Sequence, residues 1–259
     1  IRQTFGLFFS DFKNDLGISM TEAGLAVGLQ MLMWGLTGPI FGAISDKYGG
    51  HKAIMLGFIF YIAGIYFLYI GPNTGLFFQL ELGVLIGIGL GATAISIPIS
   101  IVGKHFPLSN RTIAMSIVTA VGSFGFFLSP LFTNYSLKSH GWENTLYYFG
   151  VFLLIGLIIS FFVRSPSRSE SPEKKNSQTT NQALKEAFKT KSYIFLVLGF
   201  FVCGFHITLV GTHVPQYVID RGLEDWTAAT ILSLIGLFNI FGSLLSGYLS
   251  TIISKKIVL

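Results

Sequence analysis

From Ala23 to Phe41 the chain runs for nineteen residues without a charged side chain. A soluble helix of that length turns a polar face to water, but this stretch is apolar on every side. Eight such stretches occur, with approximate limits 1–12, 21–44, 53–71, 76–103, 111–136, 143–163, 192–218 and 226–250. All except the short first one approach the roughly 20 residues that carry a helix across the hydrocarbon core of a bilayer. The expectation is therefore an all-α membrane protein. Composition excludes the alternative of one large soluble core: 51% of the residues are hydrophobic and 11% charged, where soluble domains carry roughly 25% charged residues.

The polar stretch from Arg164 to Gln182, rich in Ser, Pro and Lys, is unsuited to burial and reads as a linker. It divides the chain into a six-helix half at 1–164 with a short first helix, a central linker at 165–191, and the start of a second half at 192–259. Ala183, Leu184, Ala187 and Phe188 share one face of a short helix suited either to the membrane surface or to solvent. Of the 17 lysines and arginines, thirteen fall in loops on the linker side. Lys13, Lys138 and Arg221 fall on the other, and Arg2 belongs to neither. That imbalance predicts a cytoplasmic linker. The net charge of +5 thus reports topology, and no nucleic-acid partner is expected. Cys203 is the single cysteine, so no disulfide forms within the chain.

An ungapped shift of 205 residues aligns the first helix pair with the seventh and eighth: Gly6 with Gly211, Gly17 with Gly222, Ala23 with Ala228, Gly42 with Gly247 and Ser45 with Ser250. Six helices, a polar linker and a restart of the same pattern make the layout of a transporter with two parallel six-helix halves. The loop after the second helix, "GAISDKYGGHK", carries Gly42, Asp46, Lys47, Gly49 and Lys52. It resembles the signature G-x-x-x-D-[RK]-x-G-x-[RK]-[RK] of the major facilitator superfamily, with His51 where a base is usual. "GSFGFFLSP" in the fifth helix resembles that superfamily's glycine and proline motif loosely, and the second-half counterpart of the loop has Thr251 in place of the Asp.

The resemblance implies a major facilitator bundle of which helices 1 (partial) to 8 of an expected 12 are present. The missing C-terminal helices of the full-length protein would then be partners of this chain. It also implies that the signature loop gates the two halves, with Asp46 accepting hydrogen bonds from a neighbouring helix N-terminus while Lys47 and Lys52 face lipid headgroups. "RQTFGLFF" at the chain's start is similar to the first helix of bacterial monocarboxylate and oxalate/formate transporters, in which a base pairs with an anionic substrate. The eighth helix lacks the Arg common in those families.

Charge inside a bilayer is costly and marks function. About 10 residues separate Arg2 from the end of its helix near Phe12, or about 15 Å, half of a 30 Å core. His206 and His213, two turns apart on one face, are candidates to bind substrate, and His206 or Glu81 to carry a coupled proton. Two histidines without a third ligand make no metal site, and no cofactor is expected. Gln30, Asn239 and Asn134 either line the cavity or tie helices together. The glycine seam Gly83, Gly87, Gly91 is expected to serve packing. Pro215 is expected to bend the seventh helix.

These readings converge on a secondary active transporter of a small organic anion, monocarboxylate-like, driven by protons or anion exchange in a bacterial plasma membrane. Rivals are a proton-coupled drug or metabolite exporter, for which Arg2 is dispensable, and a non-transporting receptor on the same scaffold. An enzyme would need a convergent nucleophile, base or metal set, which the sequence does not supply.

Overall fold

The computed structural model describes residues 1–71, 74–163 and 180–254. A tight 3-10 stretch, Arg2–Phe8, continues as α1, Phe9–Leu16. α2 spans Met20–Tyr48, α3 Gly50–Ile70 and α4 Gly75–His105. The helix Leu108–Phe162 breaks at Gly141, whose φ of 79° favours glycine, into α5 at 108–140 and α6 at 142–162. Ser136 and Thr145 hydrogen-bond at 2.8 Å across this turn, so the 55 residues form a hairpin of two spans. After a short helix, Thr180–Lys189, come α7, Lys191–Asp220, and α8, Asp225–Ile252. Among the described residues there is no strand, and six helices, the α5–α6 hairpin counted as one, are long and apolar enough to cross a membrane.

The helices overrun the apolar limits read from the sequence because their ends are polar turns. α1 continues to Leu16, past the expected end at Phe12, through Lys13, Asn14 and Asp15, and stops where Gly17 turns left-handed at φ 68°. α2 starts in a capping box: Ser19 Oγ accepts from the Glu22 amide, and the Ser19 amide donates to the Glu22 carboxylate at 2.8 Å. Residues 164–179 of the expected linker, with Lys255 and Lys256, lie outside the described residues, as do the side chains of Ala183 and Leu184.

The repeat has conformational content. Gly222 closes α7 at φ 71° as Gly17 closes α1, and α8 begins at Asp225, 205 residues after Met20. Gly6 and Gly211 meet where the Arg2–Phe8 stretch crosses α7; a Cβ on Gly6 would fall 2.7 Å from the Gly211 carbonyl oxygen and 3.2 Å from the Pro215 ring. Equivalent positions touching one another is what an interface about a two-fold axis produces.

Glycine also brings α4 against two neighbours. Gly83, Gly87 and Gly91 lie on Leu29, Met33 and Thr37 of α2, while Gly57 and Gly64 of α3 receive α4 from the other side. The seam therefore packs as expected. Phe5, Phe8, Phe12, Phe78, Trp142 and Phe149 fill the core of the first half. In it Phe12 meets Phe78 and Trp142 edge-on, at 5.4 and 5.7 Å.

Candidate functional site

Trp34 is the central residue of α2, with 14 residues between it and each end of the helix. The Arg2 guanidinium lies over its ring, 4.5 Å from the centroid, and 5.9 Å from that of Phe126 on α5. Arg2 Nη1 also donates to Met31 Sδ at 3.5 Å. Among the described residues the ion pairs are Lys104–Asp46 and Lys138–Asp225, so this guanidinium at mid-helix depth faces two rings and a sulfur and no carboxylate. It lines an open groove of 810 Å³ between α2 and α7, whose other walls include Met31, Trp34, Phe200, Phe201 and Phe205. A cation–π contact contributes about 0.5–2 kcal/mol, and Phe126 is near the 6 Å reach of that interaction. Placing Arg at the middle of a span costs about 2.5–3.5 kcal/mol even on the mildest scale. An anion in the groove would offset the remainder.

The other residues marked in the sequence are dispersed. Gln30 is fully buried and ties α2 to α4, its Nε2 donating to the Leu82 carbonyl at 3.0 Å. His206 is at the middle of α7, and both it and His213 are exposed on a face that does not line the Arg2 groove. The face toward the Arg2–Phe8 stretch is formed instead by small residues, Gly211 and Thr212 among them. Asn239 is exposed on α8. Asn134 lines a separate cavity of 210 Å³ with Asp11, Lys138 and Asp225. There Lys138 of α5 reaches Asp225 of α8 at 3.7 Å, joining the two halves.

Glu81, the acidic candidate for proton coupling, is 4% exposed and buried against Gly71 at the end of α3. The π-helical stretch Gln79–Leu85 accommodates it there. An Arg2–Glu81 ion pair is absent among the described residues.

In the signature loop, Gly49 turns at φ 96° and its amide closes α2 on the Ser45 carbonyl at 3.0 Å. Asp46 accepts from Lys104 Nζ at 2.8 Å, at the C-terminal end of α4. The reason is positional, since a base in the last turn of α4 complements that helix's dipole and reaches the end of α2. Lys47 lies over the Tyr48 ring at 4.9 Å, and Lys52 is exposed. Nothing lies within 4 Å of a Cβ built on Gly42.

Met31, Trp34 and Phe126 escaped the sequence reading because a sulfur and two rings give no signal in a chain with 26 phenylalanines. So did Tyr61 of α3, one residue past the helix centre, which is 4% exposed with its hydroxyl unpartnered among the described residues. A helical count from Arg2's depth could have found Trp34.

The profile of the Major Facilitator Superfamily matches residues 1–259. Monocarboxylate transporter 6 of Mus musculus is 28% identical over 280 residues, covering 97% of this chain and 58% of its own length. The sialic acid transporter NanX of Escherichia coli (strain K12) is 22% identical, covering 94% of this chain and 59% of its own length. Among solved structures, the proton:xylose symporter XylE bound to 6-bromo-6-deoxy-D-glucose matches with a TM-score of 0.63 at 15% identity, over 95% of this chain and 66% of that one. The chain thus spans somewhat more than half the length of these curated relatives.

Proposed function

The chain belongs to the Major Facilitator Superfamily and is an integral, multi-pass membrane protein, and from that premise we propose that the full-length protein is a secondary transporter of a small organic monoanion. Alternating access about a midplane site is the expected mechanism. The observation that carries the reading is the Arg2 guanidinium at mid-bundle, held by Trp34 and Met31 without a carboxylate. Two relatives, a monocarboxylate transporter and a sialic acid transporter, are named for acids, which supports an anion. Arg grips a carboxylate through two parallel hydrogen bonds, and the aromatic wall beside it suits an apolar body.

Coupling is by a proton, with Glu81 or His206 as carrier, or by anion exchange. The linker is cytoplasmic and the membrane a bacterial plasma membrane. The signature loop, with Asp46 held by Lys104, sets the balance between conformations. The aromatic groove also favours a second reading, export of a hydrophobic compound, which predicts that Arg2 is dispensable.

Binding of acetate, lactate and benzoate to the purified full-length protein separates the two. Arg2→Lys weakens binding, because a point charge replaces a fork, and Arg2→Ala lowers it at least a hundredfold, about 2.7 kcal/mol, while the protein stays monodisperse. A folded Arg2→Ala protein that binds these acids at wild-type affinity removes Arg2 from the site.

A further inference from the structure

A hydroxyl inside a membrane span satisfies itself by turning back on its own helix. Thr37, Thr93, Thr119, Thr133 and Thr230 each donate to the carbonyl four residues earlier, at 2.7–3.1 Å. Thr208 of α7 does not: it is half-buried, and among the described residues its hydroxyl makes no hydrogen bond. A polar group left free in this way calls for an explanation. Its place follows from the crossing of the Arg2–Phe8 stretch with α7, where Gly6 meets Gly211. The two run in the same direction, since Arg2 and Gly6 line one cavity with Thr208 and Gly211, and Leu7 and Asp11 line the next with Pro215 and Ile219. About one turn back from the crossing therefore stand Arg2 on one side and Thr208 on the other.

Arg2 borders two cavities of unlike character. One is a chamber of 20 Å³, about the room of one water-sized atom, whose polar side chains besides Arg2 are Gln3, Thr208 and Thr212. The other is the aromatic groove of 810 Å³. Four residues line both: Arg2, Met31, Ile207 and Thr208. Of these four, only Thr208 adds a neutral donor to the guanidinium, whereas Gln3 and Thr212 border the chamber alone. A carboxylate has about four lone-pair sites and Arg takes two of them, so a hydroxyl beside the guanidinium finds an acceptor on the same head group.

We propose that Thr208 is a second ligand of the transported anion, its hydroxyl donating to a carboxylate oxygen seated at the mouth of the chamber beside the Arg2 guanidinium. This rests on the Arg2 reading and extends it to the second half of the protein. The guanidinium comes from the first half and the hydroxyl from the second, so one head group ties the Arg2–Phe8 stretch to α7. The body of the acid then lies in the groove, along Trp34 and Phe205.

The test is calorimetric titration of the purified full-length protein with acetate, lactate and benzoate. Thr208→Val removes the hydroxyl and breaks no hydrogen bond, so the ligand-free thermal midpoint stays at the wild-type value. Affinity for the tightest of the three acids falls about ten- to a hundredfold, which is what a hydrogen bond to a charged group contributes. Thr208→Ser keeps the hydroxyl and binds like the wild type. Thr230→Val, at a hydroxyl already occupied by the Trp226 carbonyl, leaves affinity unchanged. If the valine variant does not fold, Thr208→Ala set against Thr208→Ser isolates the same oxygen. Thr208→Ser binding as weakly as Thr208→Val assigns the loss to packing and overturns the hydroxyl's role. Wild-type affinity in Thr208→Val together with weakened binding in Arg2→Lys overturns the role of Thr208 and leaves the Arg2 reading standing. Wild-type affinity in both variants, or no binding of any of the acids to the wild type, overturns both.

Discussion

α2 and α8 begin 205 residues apart, at Met20 and Asp225, and residues at the same register meet different surroundings. Gly236 of α8 lets the α5 backbone at Phe126 and Phe127 approach so closely that a Cβ would collide with it, and Gly247 makes room for the Ser116 side chain. Their counterparts on α2 are Met31, which accepts from Arg2, and Gly42, which has open space. Asn239 of α8 is exposed where α2 has Trp34 under the guanidinium. One repeat has therefore been used for packing in α8 and for chemistry in α2. The difference teaches that a shared register fixes depth along a helix and leaves the role of each residue to whatever element arrives beside it.

Breaking the packing side of the comparison has the largest expected effect. Gly236→Leu forces a branched side chain into the α5 backbone and destabilises by about 3 kcal/mol, the upper end of the overpacking range. Met31→Leu at the same register of α2 conserves volume and costs less than about 1.5 kcal/mol. Thermal unfolding of the full-length protein in detergent checks both, and equal midpoints would dissolve the contrast between the two helices.

The chemical side is probed by Trp34→Ala and Asn239→Ala. Loss of the ring under Arg2 weakens monocarboxylate binding about two- to thirtyfold, the span of a cation–π contact of about 0.5–2 kcal/mol. Asn239→Ala is expected to change affinity by less than about twofold, because its exposed side chain makes no hydrogen bond among the described residues; equal losses would mean that both helices serve the anion.

The smallest effect belongs to the end of α2. Asp46→Asn removes the pair with Lys104, whose side chains are 61% and 41% exposed, and an exposed pair contributes about 0.2–1 kcal/mol. The unfolding free energy should change by no more than that, and should change less in high salt, where the pair is already screened. At the same register α8 has Thr251, so Thr251→Ala supplies the comparison without a charge. A stability loss of several kcal/mol in Asp46→Asn would show that the loop supports the fold as well as the conformational balance.

The spans were legible because an uncharged run of about 20 residues has one stable solution in a bilayer, a helix. The ends of the helices were less so, since a capping turn such as Ser19–Glu22 or the polar turn Lys13–Asp15 is helical without being apolar. Arg2 announced itself as the one base outside the loops. Its companions Trp34 and Met31 did not, because both belong to residue types that also fill lipid-facing and core positions. Glu81, Gln30 and the two histidines drew notice as polar residues in oil. The fold uses Gln30 to tie α2 to α4, buries Glu81 against Gly71, and leaves the histidines on a face away from Arg2.

By itself the amino-acid sequence determined which stretches are apolar enough to span a bilayer and the register of the repeat, because hydrophobic length and helical rise act locally along the chain. Which residues meet across helices was decided by the tertiary structure alone. Arg2 reaches Trp34 and Met31, and Asp46 reaches Lys104. A glycine permits contact in α8 and faces open space in α2. The physical reason is that depth is read along a helix axis, whereas azimuth and partner depend on how small residues such as Gly6, Gly87 and Gly236 let the helices close on one another.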